Sequence, residues 1–205
     1  MTEVAPAALT TGDTEAVAAA KASLADKPML VYVVSDDPTD NVSRKLEDVV
    51  FRNEKLGLGT KFFKNVKVSA GDALTDRLLK DSGDTAPRIV LVSRDYKAFK
   101  VLQGKQISAG KMLKGMSALV KKEYTDSFDK MVRAYIKLLN ERDRLEGKKS
   151  KLAADLARLQ DKPNASKGKK IAREQKKLDV EFEAWNEKHQ KLLTFRRRGE
   201  AKAEA

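Results

Sequence analysis

The run MLVYVV, from Met29 to Val34, decides the fold of this 205-residue chain. It is unbroken in its apolar character and rich in β-branched residues, which is typical of a central strand covered on both faces. A second run of the same kind, IVLVS, extends from Ile89 to Ser93. Two such strands predict a sheet with helices packed against both of its sides.

Helical and strand patterns alternate around these two strands. The predicted helices are Thr14 to Asp26, Asn41 to Lys55, Ala73 to Lys80, and one capped by Ser108 that continues to Lys122. The other predicted strands are Phe62 to Val68 and Lys97 to Leu102. In the second helix, Val42, Leu46, Val49 and Val50 are expected on the buried side. The order α-β-α-β-α-β-β-α predicts an α/β domain with a mixed sheet between helices.

The hydrophobic period changes at Tyr124, where steps of four and three residues begin to alternate as in the seam of a coiled coil. The first seam comprises Tyr124, Phe128, Met131, Tyr135, Leu138, Arg142, Leu145, Lys149, Leu152, Leu156 and Leu159. The second comprises Ile171, Gln175, Leu178, Phe182, Trp185, His189, Leu192 and Arg196. Between them lies DKPNASKG, whose proline, asparagine and glycine interrupt a helix. The pattern predicts a long antiparallel helical hairpin.

These patterns divide the chain into four predicted parts. Residues 1–13 are expected to be a flexible N-terminus, and residues 14–122 form the α/β domain. Residues 123–198 form the coiled-coil hairpin, with its loop at about 161–168. Residues 199–205 are expected to be a disordered tail.

Composition excludes several classes of chemistry. The chain has no cysteine, which rules out disulfides, thiolate metal sites and thiol nucleophiles. Its single histidine disfavours a histidine metal cluster or a hydrolase triad. No signal-peptide pattern and no apolar run of about 18 residues is present. We therefore expect a protein of the reducing cytoplasm, without contact with a membrane.

The α/β part resembles the thioredoxin-like family. The resemblance rests on the order of elements and on the segment KPMLVYVVSDDPTDNVSRKLEDVVF, in which Lys45, Leu46, Glu47, Val50 and Phe51 match the residues that follow the family's CxxC motif. This alignment places the two cysteine positions at Asp40 and Ser43. The proline of TAPRIVLV, Pro87, corresponds to the family's cis-proline.

The resemblance implies a fold without the family's chemistry. Disulfide exchange needs a thiolate, and neither Asp40 nor Ser43 provides one. It implies a redox-inactive thioredoxin-like module, a kind that generally serves as a binding or scaffold unit. Asp40 is expected to act as a helix cap.

Two segments superficially suggest enzymatic sites. Asp36, Asp37 and Asp40 follow a strand and have the oxygen ligands that Mg²⁺ prefers, but a polar turn that caps the next helix is favoured. Gly57–Leu58–Gly59–Thr60–Lys61 lacks the spacing of a phosphate loop and is expected to end a helix. We predict no catalytic, cofactor-binding or metal-binding residues, and no enzyme activity.

Two residues of the second seam could suggest ligand binding. His189 is expected to be a packed polar residue that fixes register rather than a ligand or base. Trp185 is expected in the core rather than as a stacking platform for bases.

Positive charge is concentrated at the loop end of the hairpin. The net charge of the chain is +12, and residues 144–177 contain 12 basic and 4 acidic residues, a net +8. Such an imbalance favours contact with phosphates. The candidate contacts are Lys148, Lys149, Lys162, Lys167, Lys169, Lys170, Arg173 and Lys177.

The sequence leaves two main functions open, and an enzyme that uses Asp36, Asp37 and Asp40 is a third and weaker hypothesis. The favoured one is a non-catalytic protein-interaction or scaffold protein, because an exposed coiled-coil arm normally serves docking or self-association. The alternative is an RNA- or ribosome-binding protein that uses the basic hairpin tip through phosphate contacts.

Overall fold

The structure, a computed structural model, describes residues 10–11, 27–37, 39–161 and 164–197. The predicted helix Thr14 to Asp26, most of the predicted flexible N-terminus, the predicted tail and Lys162 lie outside the described residues.

A five-stranded mixed sheet forms the centre of the first part of the chain, in the order β1-β3-β2-β4-β5. Its strands are β1 (Thr10–Thr11), β2 (Met29–Val34), β3 (Lys64–Ser69), β4 (Arg88–Val92) and β5 (Ala98–Gln103). The central strand β2 is parallel to β3 and antiparallel to β4, and β4 is antiparallel to β5. The predicted mixed sheet is confirmed, and its order is that of the thioredoxin fold. The short strand β1, which pairs with β3, was not predicted.

The two apolar runs occupy the middle of this sheet, as their sequences predict. Met29 to Val33 and Ile89 to Val92 are all completely buried. Side chains of β2, β3 and β4 form one core cluster with Ala73 and Leu79 from the short helices that follow β3.

The helical segment after β2 differs from its prediction. In place of one helix, α1 (Asn41–Lys45) continues into a π-helical turn at Leu46–Val50, and α2 (Glu54–Thr60) begins separately. Asn53 starts α2 by accepting a 3.0 Å hydrogen bond from the backbone N–H of Leu56.

The π-helical turn also changes which side chains face the core. Leu46 is buried as expected, but Val42 is 51% exposed and Val49 is 64% exposed, so their predicted burial is wrong. At Val49 the physical reason is the wider turn, which rotates this residue away from the register of an α-helix. Val42 lies before that turn, in the first turn of the short helix α1.

Polar caps also divide the next predicted helix, Ala73 to Lys80, into two. Ser69 caps α3 (Ala70–Ala73) and Asp76 caps α4 (Arg77–Asp81). The following helix, α5 (Ala109–Glu123), begins at the predicted cap Ser108 and packs on α2, β4 and β5.

Two long helices complete the described chain: α6 (Phe128–Asp161) and α7 (Ala165–Leu192). They confirm the predicted hairpin, although Asn164 caps α7 and makes the connection shorter than the expected loop. Tyr124 does not begin the hairpin helix, as the heptad pattern predicted. Its backbone is extended (φ −124°, ψ 161°), and it ends α5.

The chain forms two compact units. The first contains the residues up to Val132 together with those from Thr194 onward, and the second contains Arg133–Leu193. The segment that follows α7 thus belongs to the first unit.

An aromatic cluster in the first unit holds that segment. The ring of Phe195 lies 4.8 Å from that of Tyr124 and 5.8 Å from that of Phe62, measured between centroids. Next to it, the Arg196 guanidinium donates to the Asp126 carboxylate at 2.8 Å and 3.0 Å.

The second unit has a core with one buried residue per heptad on each helix. It comprises Leu138, Leu145, Leu152, Ile171, Leu178 and Trp185. The intervening seam residues are unevenly buried: Tyr135 is 6% exposed, whereas Leu156 is 48% exposed. The two helices therefore cover one line of each predicted seam fully and the other line only in part.

Candidate functional site

The first candidate site is the end of β2, where the resemblance places the two cysteine positions. Asp40 caps α1: its carboxylate accepts hydrogen bonds from the backbone N–H of Val42 at 2.9 Å and of Ser43 at 3.1 Å. The Ser43 hydroxyl also donates to it at 2.5 Å. The two residues thus form one local capping arrangement.

These hydrogen bonds set the electrostatics of the pair. The bond from the Ser43 hydroxyl, followed by that from the Val42 backbone, holds the pKa of the Asp40 carboxyl below its usual range. The Ser43 hydroxyl and the two backbone N–H groups thus hold the Asp40 carboxylate in the position of a helix cap.

The two preceding carboxylates have other partners. Asp37 accepts from the backbone N–H and the hydroxyl of Thr39, which lower its pKa. Asp36 accepts from the backbone N–H of Gly71 at 2.8 Å, at the start of α3. Across the described ranges, no group of three or more metal-ligating side chains could hold an ion.

Tyr32 lies beneath this site and was missed by sequence reasoning. Its hydroxyl donates a 3.4 Å hydrogen bond to the carbonyl of Ser43, and burial raises its pKa to about 12. The Lys67 ammonium lies 5.8 Å from the centre of its ring and forms a 2.8 Å ion pair with Glu47. A single tyrosine in an apolar strand gives no sequence signal for this position.

The predicted cis-proline, Pro87, and its neighbour Arg88 lie at the start of β4. The Ala86–Pro87 peptide bond is cis, and Pro87 is buried directly before β4. Arg88 is almost completely buried and donates to the carbonyls of Leu79 and Thr85, both at 3.0 Å. These bonds make Arg88 a cap for the end of α4, a role that its place beside an apolar run did not reveal.

The glycine-rich segment from Gly57 to Lys61 forms the last part of α2, and Lys61 is its C-cap. Gly59 is packed closely, because a Cβ there would approach the Phe128 ring to 2.9 Å. The segment is therefore part of the core rather than a phosphate loop.

The second candidate site is the tip of the hairpin, where the structure separates the predicted contacts into two groups. Lys148 forms a 2.6 Å ion pair with Glu181, Lys149 lies 6.0 Å from the centre of the Phe182 ring, and Lys170 reaches Glu174 at 4.0 Å. The remaining predicted contacts that the structure describes, Lys167, Lys169, Arg173 and Lys177, form no ion pair with any described residue.

Sequence reasoning left Lys151 and Lys176 out of its candidate contacts. Both are exposed, and neither forms an ion pair within the described part of the chain. A groove between the two helices has Leu152 and Leu178 among its lining residues. The charged residues that line it are three lysines and three acidic residues: Lys148, Lys151, Lys177, Asp155, Glu174 and Glu181. The groove has no net charge, so it gives no preference for an anion.

The aromatic residues of the hairpin are packed against one another. The Trp185 indole N–H donates to the carbonyl of Leu138 at 2.7 Å, and its ring stacks on that of His189 at 5.0 Å. The ring of His189 also stacks on that of Tyr135, and the Arg142 guanidinium lies 5.6 Å from the centre of the Trp185 ring. Trp185 is thus in the core, as predicted.

None of the helices that the structure describes is both long enough and apolar enough to cross a membrane.

The sequence matches no protein-family model and no curated protein. Among solved structures, the chain is similar to the C-terminal domain of DsbD from Neisseria meningitidis. The oxidised form has 19% sequence identity and a TM-score of 0.44, with 55% of this chain and 99% of that chain covered. The reduced form has 20% identity and a TM-score of 0.43, with 54% and 99% covered. The order and direction of the strands define the fold class of this chain. It is a thioredoxin-like sheet in a chain without cysteine, followed by a helical hairpin.

Proposed function

We propose that this protein is a non-catalytic interaction or scaffold protein, in which the thioredoxin-like domain supports a docking arm, the hairpin. The observation that carries the proposal is the use of Asp40 and Ser43 as a helix cap in a chain without cysteine. A site whose polar groups are already satisfied by one another and by the backbone has no group prepared for a reaction.

The hairpin supplies the surface for docking. Large apolar side chains remain exposed along it: Ile136 at 38%, Leu156 at 48% and Val180 at 63%. Exposed apolar side chains on a helical arm are the groups that a protein partner would bury.

Affinity capture with the full-length chain tests this proposal. We expect a Leu156→Ser, Val180→Ser variant to lose its bound proteins, because both side chains would lie at the interface. An Ala154→Ser, Ala157→Ser variant, altered at exposed positions of the same arm, is the matched control and should retain them. Retention of every partner by the first variant would contradict docking through these side chains.

A second candidate function, binding of nucleic acid by the hairpin tip, is favoured by the cations that lack an acidic partner. Treating the same capture with nuclease separates the two functions. Proteins that dock directly remain bound, whereas those held through nucleic acid are released. Release of all bound material would favour nucleic acid binding over the scaffold.

A further inference from the structure

The outward face of α7 changes its charge along the helix. Residues separated by steps of four and three form one line on this face, opposite the buried line of Ile171, Leu178 and Trp185. From the tip towards the base, the line contains Lys169, Arg173, Lys176, Val180, Glu183 and Glu187, all of them exposed. The half nearer the tip is therefore cationic and the other half acidic.

The three cations of this line, Lys169, Arg173 and Lys176, are here called the cation strip. None of them forms an ion pair with a residue in the described part of the chain. Some cations further from the loop have partners: Lys148 pairs with Glu181 and Lys188 with Glu141. Positive charge thus remains uncompensated on the outward side of α7, in addition to Lys167 and Lys177 elsewhere on this helix and Lys151 on α6.

The corresponding outward line of the facing helix lacks such a strip, although Lys151 and Arg158 lie exposed beside that line. The outward line of α6 at the same end contains Gly147, Ser150, Ala154 and Ala157, which are exposed and uncharged. The outward line of α7 thus carries a continuous row of unpaired cations that the outward line of α6 does not have, and an anionic partner would be attracted to it.

The size of the strip and the absence of aromatic residues define the partner. The strip spans seven residues, or about 10 Å at ~1.5 Å per residue, along which a nucleic acid duplex presents roughly six phosphate charges. No aromatic residue occurs between Ile136 and Glu181, so the tip has no platform on which unpaired bases could stack.

We propose that the cation strip binds the phosphate backbone of a nucleic acid duplex without reading its sequence. The inference rests on the second candidate function and specifies the residues and the form of nucleic acid. Duplex RNA and duplex DNA present the same phosphate chemistry, and the experiment distinguishes them. The acidic residues Glu183 and Glu187 would repel the duplex and confine its contact to the half of α7 nearer the tip.

Anisotropy titrations of the full chain test the strip, with two unrelated sequences of duplex RNA and of duplex DNA as probes. The strip variant is Lys169→Gln, Arg173→Gln, Lys176→Gln. The control is Arg52→Gln, Lys188→Gln, Lys191→Gln, which removes the same charge from cations that have acidic partners and were not predicted as contacts. Glutamine is a good helix former, so circular dichroism should show an intact hairpin in both variants.

We expect wild-type protein to bind both sequences of at least one duplex equally. The strip variant should lose roughly tenfold or more in affinity at low salt, and its log–log salt slope on DNA should be shallower by up to about 2.7, or roughly 0.9 for each of three contacts. The control should remain within about threefold of wild type. Binding of RNA alone or of DNA alone would identify the natural source of the phosphates.

Three results would overturn the inference. Equal losses of duplex affinity in both variants would mean that the total charge of the chain determines binding rather than the cation strip. The second candidate function, nucleic acid binding, would not be contradicted by that result. Tighter binding of a single-stranded probe than of either duplex would contradict the duplex. If wild-type protein bound no duplex but bound polyglutamate through the strip, the partner would be an acidic protein, and the second candidate function would fail as well.

Discussion

Tyr32 combines complete burial with a long hydrogen bond, since its hydroxyl donates to the Ser43 carbonyl at 3.4 Å. Burial raises the pKa of this phenol to about 12, whereas an unfolded chain ionises its tyrosines near ~10. Between these values, the folded state holds a proton that the unfolded state has released. The stabilisation is complete below pH ~10 and is lost as the pH rises towards 12.

The Tyr32→Phe variant tests this titration. We expect its free energy of unfolding at pH 7 to change by less than about 1 kcal/mol, because the lost hydrogen bond is long. Between pH 10 and pH 12 its stability should decline less steeply than that of wild type, since one ionising group has been removed. Urea unfolding followed by circular dichroism at pH 7, 10 and 11.5 measures both effects. An unchanged alkaline decline would contradict the assignment to Tyr32.

The hairpin helices differ from an extended coiled coil in how their seams are buried. Leu152 is 7% exposed, whereas Leu156, one step further along the same predicted seam, is 48% exposed. In the two-helix unit described here, the line of Leu152 is covered by α7 and the line of Leu156 remains partly open. The two leucines should therefore contribute unequally to stability.

Alanine substitutions measure this difference. We expect Leu152→Ala to destabilise the hairpin by about 2–3 kcal/mol, through lost burial and the cavity left behind. Leu156→Ala should cost less than about 1 kcal/mol, because much of its side chain already contacts water. Trp185, the single tryptophan, lies in the hairpin core and makes its fluorescence a reporter of this unit. Equal losses would show that Leu156 is covered in solution, for instance by a second copy.

These elements also show what the sequence can predict. Both ends of the strand Met29–Val34 were predicted correctly. A buried strand needs a continuous apolar run, and this run begins and ends where its apolar residues give way to other residues. Asn41 to Lys55 was predicted as one helix, because its valines fit a helical period that the π-helical turn interrupts. The heptad pattern likewise includes Tyr124 and predicted a helix there, whereas the backbone at Tyr124 is extended.

The candidate sites were predicted unevenly for a related reason. Asp40 as a cap follows from local spacing, which a sequence contains. Which lysines have acidic partners depends on how α6 and α7 are aligned across the hairpin, as in the pair of Lys148 with Glu181, 33 residues apart. The burial of Arg88, whose guanidinium bonds to the carbonyls of Leu79 and Thr85, also depends on how α4 packs beside β4.

At the scale of the whole molecule, the first unit is discontinuous in sequence. It includes the segment after α7, where Phe195 is 3% exposed and contacts the rings of Tyr124 and Phe62. The Arg196 side chain and backbone both bond to the Asp126 carboxylate. The end of the described chain is thus part of the folded core of this unit.

Removing the Phe195 ring tests that role. We expect Phe195→Ala to lower the free energy of unfolding of the first unit by about 3–5 kcal/mol, as is usual for a buried phenylalanine. Amide hydrogen exchange should accelerate around Thr125, whose N–H bonds to the Arg196 carbonyl at 2.9 Å. Native-state Trp185 fluorescence should remain unchanged, since that residue belongs to the other unit. Slow exchange at Thr125 in the variant would contradict the prediction.

The bond between Asp126 and Arg196 joins residues that are 70 positions apart in sequence. For a flexible chain, closing a loop of that length costs roughly 4 kcal/mol of entropy, and contacts of high sequence separation slow folding. Here the intervening residues are almost entirely α6 and α7, which pack against each other through a shared core. If the two helices pair first, the loop that remains to be closed between Asp126 and Arg196 is much shorter than 70 residues. We therefore expect a substitution that slows pairing of the helices to slow formation of the Asp126–Arg196 bond as well.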